Sequence, residues 1–255
     1  MDRQAAIARA ADLVRRTRRN VILSGAGLST ESGIPDFRSP GGVWERFRPI
    51  EYQDFLDHHP ARVEHWRYKR ETIPPMLQAE PNRAHQVIAE LEAAGRVSVV
   101  ITQNIDSLHQ KAGTQRILEL HGTNAEAVCL GCRERTPIED ALAQLETGIE
   151  VPQCPSCDGI LKPATISFGQ PLPQRVLHAA LEAASGCECF LVLGSSLQVQ
   201  PAASLAGVAK QYGAQLIIIN LTPTPYDGIA DVVIHAKLCE TMAEIARLNG
   251  QVTLT

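Results

Sequence analysis

The sequence predicts an α/β fold: a doubly wound parallel sheet with a small domain inserted into it. Three observations carry that expectation. Short apolar runs without polar alternation recur along the 255 residues (VILS 21–24, VSVVIT 97–102, CFLVL 189–193, QLIII 215–219, DVVIH 231–235), as strands do when helices cover both faces of a sheet. Helical patterns separate these runs. Between about 123 and 160 the alternation stops, and Cys, Pro, Gly and polar residues take over.

Taken in order, the opening stretch MDRQAAIARAADLVRRTRR is Arg-rich, but Asp2, Asp12 and its direct run into the first strand read as a helix over about 4–18, not a transit peptide. The region 50–94 reads as helical, chopped into short pieces by Pro60, Pro74, Pro75 and Pro81, and part of 45–95 is expected to form a helical layer beside the insert. The sheet unit then takes 1–122 and 160–255, and the insert 123–159. In such sheets ligands sit at the carboxyl ends of the strands, so the residues just after them, Gly25, Gln103, Gly194 and Asn220, matter most.

Composition excludes several classes. With 24 basic against 28 acidic residues the net charge is −4, which gives no footprint for nucleic acid or an anionic membrane, and 4% aromatics leave few rings for exposed bases. No apolar run reaches the ~18 residues a membrane span needs. Seven cysteines without a signal peptide point to a reducing compartment, the cytoplasm, and away from a disulfide scaffold. The oligomeric state stays open, a monomer included.

The first strand ends in Ser24-Gly25-Ala26-Gly27-Leu28-Ser29-Thr30, small residues that let a phosphate approach backbone N–H groups at a helix start; the alternative is a tight strand-to-helix turn. A dehydrogenase fingerprint would carry Gly where Thr30 stands and an acidic strand end ~20 residues on, and neither is present, which disfavours hydride transfer. The continuation Ser32-Gly33-Ile34-Pro35-Asp36-Phe37-Arg38 suits a lid over a charged ligand, or equally a loop with Arg38 paired to Asp36. After the second core strand, Gln103, Asn104, Ile105 and Asp106 offer groups that hydrogen-bond an amide and ribose hydroxyls, or that simply cap the next helix. In Glu119-Leu120-His121-Gly122 the imidazole is a candidate base at working pH, though a lone His is more often a satisfied surface or core residue.

The cysteines give the sharpest physical signal. Cys129-x-x-Cys132 and, 21 residues on, Cys154-x-x-Cys157 supply four thiolates for one closed, tetrahedral zinc site. A closed site leaves no open position for chemistry, so the ion is structural. Cys187, Cys189 and Cys239 lack such spacing and read as buried small hydrophobes.

The segments GAGLSTESGIPDFRS (25–39), TQNIDSLHQKAG (102–113), ELHG (119–122), the four cysteines, KPATISFG (162–169), LGSSLQVQPA (193–202) and IINLTPTPYD (218–227) together resemble the sirtuin family of NAD-dependent protein lysine deacylases, in the family's order and over nearly the whole chain. The resemblance implies a large Rossmann-like domain and a small zinc domain, with NAD and an acyl-lysine peptide meeting in the cleft between them. It implies that Gly25, Ala26, Ser29 and Thr30 hold the pyrophosphate, with Asp36, Phe37 and Arg38 closing over the nicotinamide ribose and excluding water. Gln103 would meet that ribose, and Asn104, Ile105 and Asp106 the carboxamide. Gly194, Ser195 and Ser196 would meet the phosphates and adenosine ribose, Asn220 and Leu221 the adenosine, and the Leu238 backbone the adenine.

In the implied reaction the acyl oxygen displaces nicotinamide from C1′ of the ribose. His121, as general base, relays a proton so that the 2′-oxygen takes the acyl group, releasing free lysine and 2′-O-acyl-ADP-ribose; His121, Asn104 and Asp106 are the implied catalytic residues. The peptide would add as a strand between Phe168-Gly169-Gln170 and Gln198-Val199-Gln200, with the Ile166 carbonyl accepting from the lysine Nζ–H. Ser167 and Gln170 depart from the family's commoner aromatic or aliphatic residue and Glu.

Where relatives acting on succinyl-lysine carry Tyr and Arg, this chain has Trp66 and Lys69, and Lys lacks the bidentate fork. The implied acyl group is neutral, acetyl first, the alternative for Trp66 being plain helix packing. Rival readings are protein mono-ADP-ribosyl transfer and a non-enzymatic NAD-sensing interaction module.

Overall fold

The Asp2 carboxylate accepts from the Ala5 N–H at 2.7 Å and so caps the first helix, α1 (Arg3–Arg16), which buries Ala6, Ile7, Ala10, Ala11 and Val14 along one stripe. The computed structural model describes residues 2–37 and 41–250, apart from the side chain of Trp44; Arg38 lies outside them. From β1 (Asn20–Ser24) the chain enters two 3₁₀ turns, Ala26–Leu28 and Thr30–Ser32. Next come α2 (Val43–Arg46), α3 (Tyr52–Asp57), α4 (His59–Gln78), α5 (Arg83–Ala93), β2 (Val97–Thr102), α6 (Leu108–Lys111) and β3 (Ile117–Glu119). A second unit follows with β4 (Gly122–Cys129), β5 (Arg135–Pro137), α7 (Ile138–Glu146) and β6 (Leu161–Thr165). The chain ends with α8 (Gln174–Gly186), β7 (Cys189–Leu193), α9 (Ser204–Gln211), β8 (Gln215–Ile219), β9 (Val232–Ile234) and α10 (Leu238–Leu248).

The large sheet runs β3-β2-β1-β7-β8-β9, every pairing parallel. Both faces are covered, which is why its strands lack polar alternation. Ile22, Leu191, Leu193, Ile217 and Ile219 point into a core shared with α1, α5 and α10, whereas Val21, Leu23, Phe190, Val192, Leu216 and Ile218 point into one shared with α8 and α9. From β1 the strand order grows one way through β2 and β3, then resumes on the other side at β7. That reversal opens a crevice at the carboxyl ends of β1 and β7, where open α/β sheets bind ligands.

The second sheet, β5-β4-β6, is antiparallel, and it takes in Leu161–Thr165, beyond the boundary at 159 drawn from the sequence. Its core gathers Trp66 and Ile73 of α4 with Ala127, Ile138, Ala141, Leu145 and Leu161, beside Cys129 and Cys154. The expectation that prolines would chop the 50–94 region is corrected in α4, which runs for 20 residues. Pro60 sits in the first turn, where its missing N–H has no helical partner anyway, and Pro74 and Pro75 fall near the C-terminal end. Burial of Trp66, Lys69 and Ile73 carries the helix through them, tertiary packing overriding a local breaker. Pro81 does separate α4 from α5.

Candidate active site

A cavity of about 750 Å³ lies between the carboxyl edge of the large sheet and the second unit. Its floor is the β1–β7 switch point. The Gly25 N–H donates to Leu193 O at 3.0 Å and the Gly27 N–H to Gly194 O at 2.9 Å, so the two strand ends are laced together by backbone alone. Gly194 has φ +66°, and a Cβ there would collide with the Leu28 N–H; a side chain would close the approach a phosphate needs. Gly25, Ala26, Thr30, Asp36, Phe37, Gln103, Ser195, Ser196, Asn220, Leu221 and Leu238 also line this cavity. Gln103 Nε2 donates to Ser195 Oγ at 2.8 Å, joining the two loops across the crevice. The N–H groups of Leu238 and Cys239 both donate to Glu31 Oε1 at 3.0 Å. Glu31 thereby caps α10, a role its place in the STES turn did not announce.

Deeper in, Asn104 Nδ2 donates to Gly25 O and to Ser29 Oγ, both at 3.1 Å, and the Ser29 hydroxyl donates to Asp106 Oδ2 at 2.6 Å. Ser29 and Asp106 do not reach the main cavity; with Ala26, Asn104 and Ile105 they line an adjoining one of about 180 Å³. Asp106 Oδ1 accepts from the Leu108 N–H at 2.9 Å, so the capping alternative and the pocket reading describe the same carboxylate. Burial raises the proton affinity of Asp106, against the Ser29 hydroxyl and the Leu108 N–H, which stabilise its anion.

His121 stands at the junction of β3 and β4 and lines the main cavity. Gly122 beside it has φ +70°, and a Cβ there would strike the Ala164 carbonyl, so only glycine lets β6 pass this close. His121 Nδ1 lies 3.0 Å from the Gln103 carbonyl oxygen, an acceptor only, which assigns the proton to Nδ1 and leaves Nε2 as the free lone pair. Burial lowers the pKa of the imidazole, and the Gln103 carbonyl opposes that shift. The His121 carbonyl accepts from the Ile166 N–H at 2.8 Å, fixing the β6 exit beside the imidazole.

Ile166, Phe168 and Gly169 line the cavity on one side and Gln198, Val199 and Gln200 on the other. The Phe168 carbonyl accepts from the Tyr52 N–H at 2.8 Å. From α4, His65, Tyr68 and Lys69 reach the cavity, being i, i+3 and i+4 on one helix face, and the first two were missed because that face has no simple periodicity. Trp66 is corrected as a substrate residue: about 100° round the helix it is fully buried in the small core, donating from Nε1 to Leu161 O at 3.2 Å. Lys69 Nζ donates to Asn124 Oδ1 at 2.9 Å, and burial, with Lys162 nearby, lowers its pKa to about 7.

The sulfurs of Cys129, Cys132, Cys154 and Cys157 all lie within 4.8 Å of one another. A Cβ on Gly159 would come 2.8 Å from Cys129 Sγ, and the Cys132 N–H donates to that sulfur at 3.4 Å. Four soft thiolates, closed in by backbone, fit one structural Zn²⁺. Cys187 and Cys189 are buried, and Cys239 is partly so, packed against the core.

With this geometry in place, comparison with known proteins is direct. Residues 25–201 match the Sir2 family. The chain is 44% identical over 239 residues to the NAD-dependent protein deacetylase of Thermodesulfovibrio yellowstonii, covering 94% of this chain and 93% of the relative. A Sir2 structure with a deacetylated p53 peptide and 3′-O-acetyl ADP ribose superposes with TM-score 0.91 at 39% identity, covering 97% of this chain and 99% of the other. A second, Sir2 with a p53 peptide and NAD⁺, gives 0.87 at 40% identity, covering 95% and 98%. Glycine-laced switch point, inward imidazole and four-thiolate insert thus occur together in a chain that matches over most of its length, and this protein belongs to the Sir2 family.

Proposed function

We propose that this protein is an NAD-dependent protein lysine deacylase acting first on acetyl-lysine, with one structural zinc ion. The observation that carries the reading is His121: an imidazole with Nδ1 tied to the Gln103 carbonyl and Nε2 without a hydrogen-bond partner among the described residues, lining the same cavity as the glycine-rich switch point. NAD, when bound, supplies a ribose carbon activated by nicotinamide as leaving group.

The chain's own residues do the rest. Gly25, Ala26, Thr30 and Gly194 hold phosphates by backbone approach, and Ser195, Ser196, Asn220, Leu221 and Leu238 shape the adenosine end. Asn104, Ile105 and Asp106 receive the carboxamide, while Gln103 positions the ribose. Asp36 and Phe37, which line the cavity, close over it. His121 takes a proton from a ribose hydroxyl at Nε2 while Gln103 steadies Nδ1–H, the arrangement a general base needs. The peptide lies between Phe168–Gly169 and Gln198–Gln200, with the Ile166 carbonyl accepting from the lysine nitrogen. Lys69, held by Asn124, is a point charge with no bidentate fork, and supports a neutral acyl group over an anionic one.

No helix among the described residues is long and apolar enough to cross a membrane, and the cysteines form no disulfide. Seven free thiols, four of them gathered as ligands for one ion, support a reducing compartment, the cytoplasm. The test is to supply NAD with acetyl-lysine and succinyl-lysine versions of one peptide. Nicotinamide and deacetylated peptide forming in equal amounts, faster with acetyl, is the expected result. Label passing from NAD to protein without deacylation would favour ADP-ribosyl transfer, and absence of nicotinamide release would leave only a binding module.

A further inference from the structure

Behind the Asn104 loop lies a set of buried polar side chains for which the reaction above has no use. His109 is 1% exposed, His85 and Ser24 are fully buried, and Thr102 is 3% exposed. A core that needed only volume would be filled more cheaply by apolar residues. Their hydrogen bonds form a closed circuit. His109 Nε2 lies 2.8 Å from Ser24 Oγ, which donates at 2.8 Å to Thr102 Oγ1, which accepts at 3.0 Å from the Asn104 N–H. The Asn104 side chain continues to Ser29, Ser29 to Asp106, and Asp106 to the N–H of Leu108, the residue before His109.

The histidine ring is itself braced. His85 packs edge-on to it at 5.1 Å, His85 Nδ1 lies 3.0 Å from Asn82 Oδ1, and Asn82 Nδ2 donates to the Leu28 carbonyl in the phosphate loop at 2.8 Å. With Ser24 donating onward, His109 carries its proton on Nε2; with Asn82 accepting, His85 carries its own on Nδ1. The two ring nitrogens left without partners, His109 Nδ1 and His85 Nε2, are then bare lone pairs, and neither is a stranded donor.

We infer that His109 is a positioning residue, the keystone of a circuit through Ser24 and Thr102 that sets Asn104 and Asp106 for the nicotinamide carboxamide. The inference rests on the reading of those two residues given above. It predicts a split in ligand affinity: the circuit meets the phosphate loop only at Ser29 and the Gly25 and Leu28 carbonyls, whereas Gly194, Ser196, Asn220 and Leu221, placed at the phosphates and adenosine, lie outside it.

The test compares His109→Phe, which keeps a ring against His85, with Ser24→Ala, which removes one oxygen, the double variant, and His109→Gln, which restores a donor. The readouts are nicotinamide inhibition of acetyl-peptide turnover and ADP-ribose affinity by calorimetry on the zinc-loaded protein. The nicotinamide inhibition constant should rise roughly tenfold in each single variant, the size expected for one misplaced hydrogen-bonding group, with ADP-ribose affinity within about twofold of wild type. The double variant should be no worse than the poorer single one, since both break one chain, and His109→Gln should recover most of the loss. Unchanged nicotinamide inhibition in both single variants, or parallel loss of both affinities, would overturn the circuit. A wild-type protein that turns over no acyl peptide would instead overturn the functional reading beneath it.

Discussion

At His121 two opposed influences act on one imidazole: burial disfavours the cation, and the Gln103 carbonyl, bonded to Nδ1–H, favours it. Burial is the larger, so the pKa lies below the ordinary ~6.5 and the ring stays neutral, with Nε2 able to accept, through the neutral pH range. The acid limb of kcat/KM should therefore fall below pH ~6.5, and a limb above 7 would contradict the assignment. His121→Ala should cost roughly 10²–10⁴-fold in deacylation while ADP-ribose binding, measured by calorimetry, survives, because the backbone groups of the switch point are untouched. Near-normal turnover in that variant would remove His121 from the chemistry. Trp66 shows how residue-scale reading goes astray. The family resemblance implied an acyl contact, with helix packing as the alternative, and the helix phase turns it into the small core. Trp66→Ala should destabilise by about 3–5 kcal/mol, read as a shifted denaturation midpoint, with the acetyl-to-succinyl preference unchanged. A changed preference at unchanged stability would restore it to the substrate site.

At the scale of elements, the second sheet has little to hold it besides one small cluster and the four thiolates. β5 is three residues long, and the loops carrying Cys132 and Cys157 are exposed. Removing zinc with a chelator should unfold β4–β6 and α7 while the large sheet, with cores on both faces, stays folded. Circular dichroism should show a partial loss of signal, and peptide turnover should fall with it because His121 and Ile166 border β4 and β6. Full activity after verified zinc removal would refute the structural role. These elements also mark the limit of what sequence alone discloses. Strands buried on both faces declare themselves as unbroken apolar runs, and all five such runs became strands of the large sheet. β3, three half-buried residues on the sheet edge, and β6, LKPAT, carry no such run and were invisible. The cysteine cluster was legible because ligand spacing is local. The Ser24–His109 circuit was not, because its partners lie 78 and 85 residues apart and meet only through parallel pairing of β1 with β2.

For the whole molecule, buried bases set how stability depends on pH. Burial lowers the pKa of His85 to about 4 and, with His85 beside it, that of His109 to about 3; His65 is lowered too, by burial and then by Lys69 and Lys162. Unfolded, each histidine would take a proton near ~6.5. Between there and about pH 4 the unfolded chain binds more protons, so stability falls with falling pH by up to about 1.4 kcal/mol per unit for each histidine. Lys69 and Lys162, lowered by burial to about 7 and about 8, act in the same direction higher up: from there to the unfolded lysine pKa of ~10.4 the unfolded chain holds more protons, and stability rises with pH. Burial raises the thiols of Cys187 and Cys189, so above ~8.5 the native state keeps protons the unfolded chain releases, which opposes the lysines. Stability should therefore climb to pH ~8.5 and level off above it, where the lysine and thiol contributions oppose each other, well above the pI of 6.1. Urea midpoints at pH 5, 6.5 and 8, with zinc in excess, should rise in that order. Lys69→Met should flatten the upper part of the rise and His85→Phe the lower. A midpoint at pH 5 equal to that at pH 8 would mean that the buried histidines and lysines find counter-charges in solution that this packing denies them.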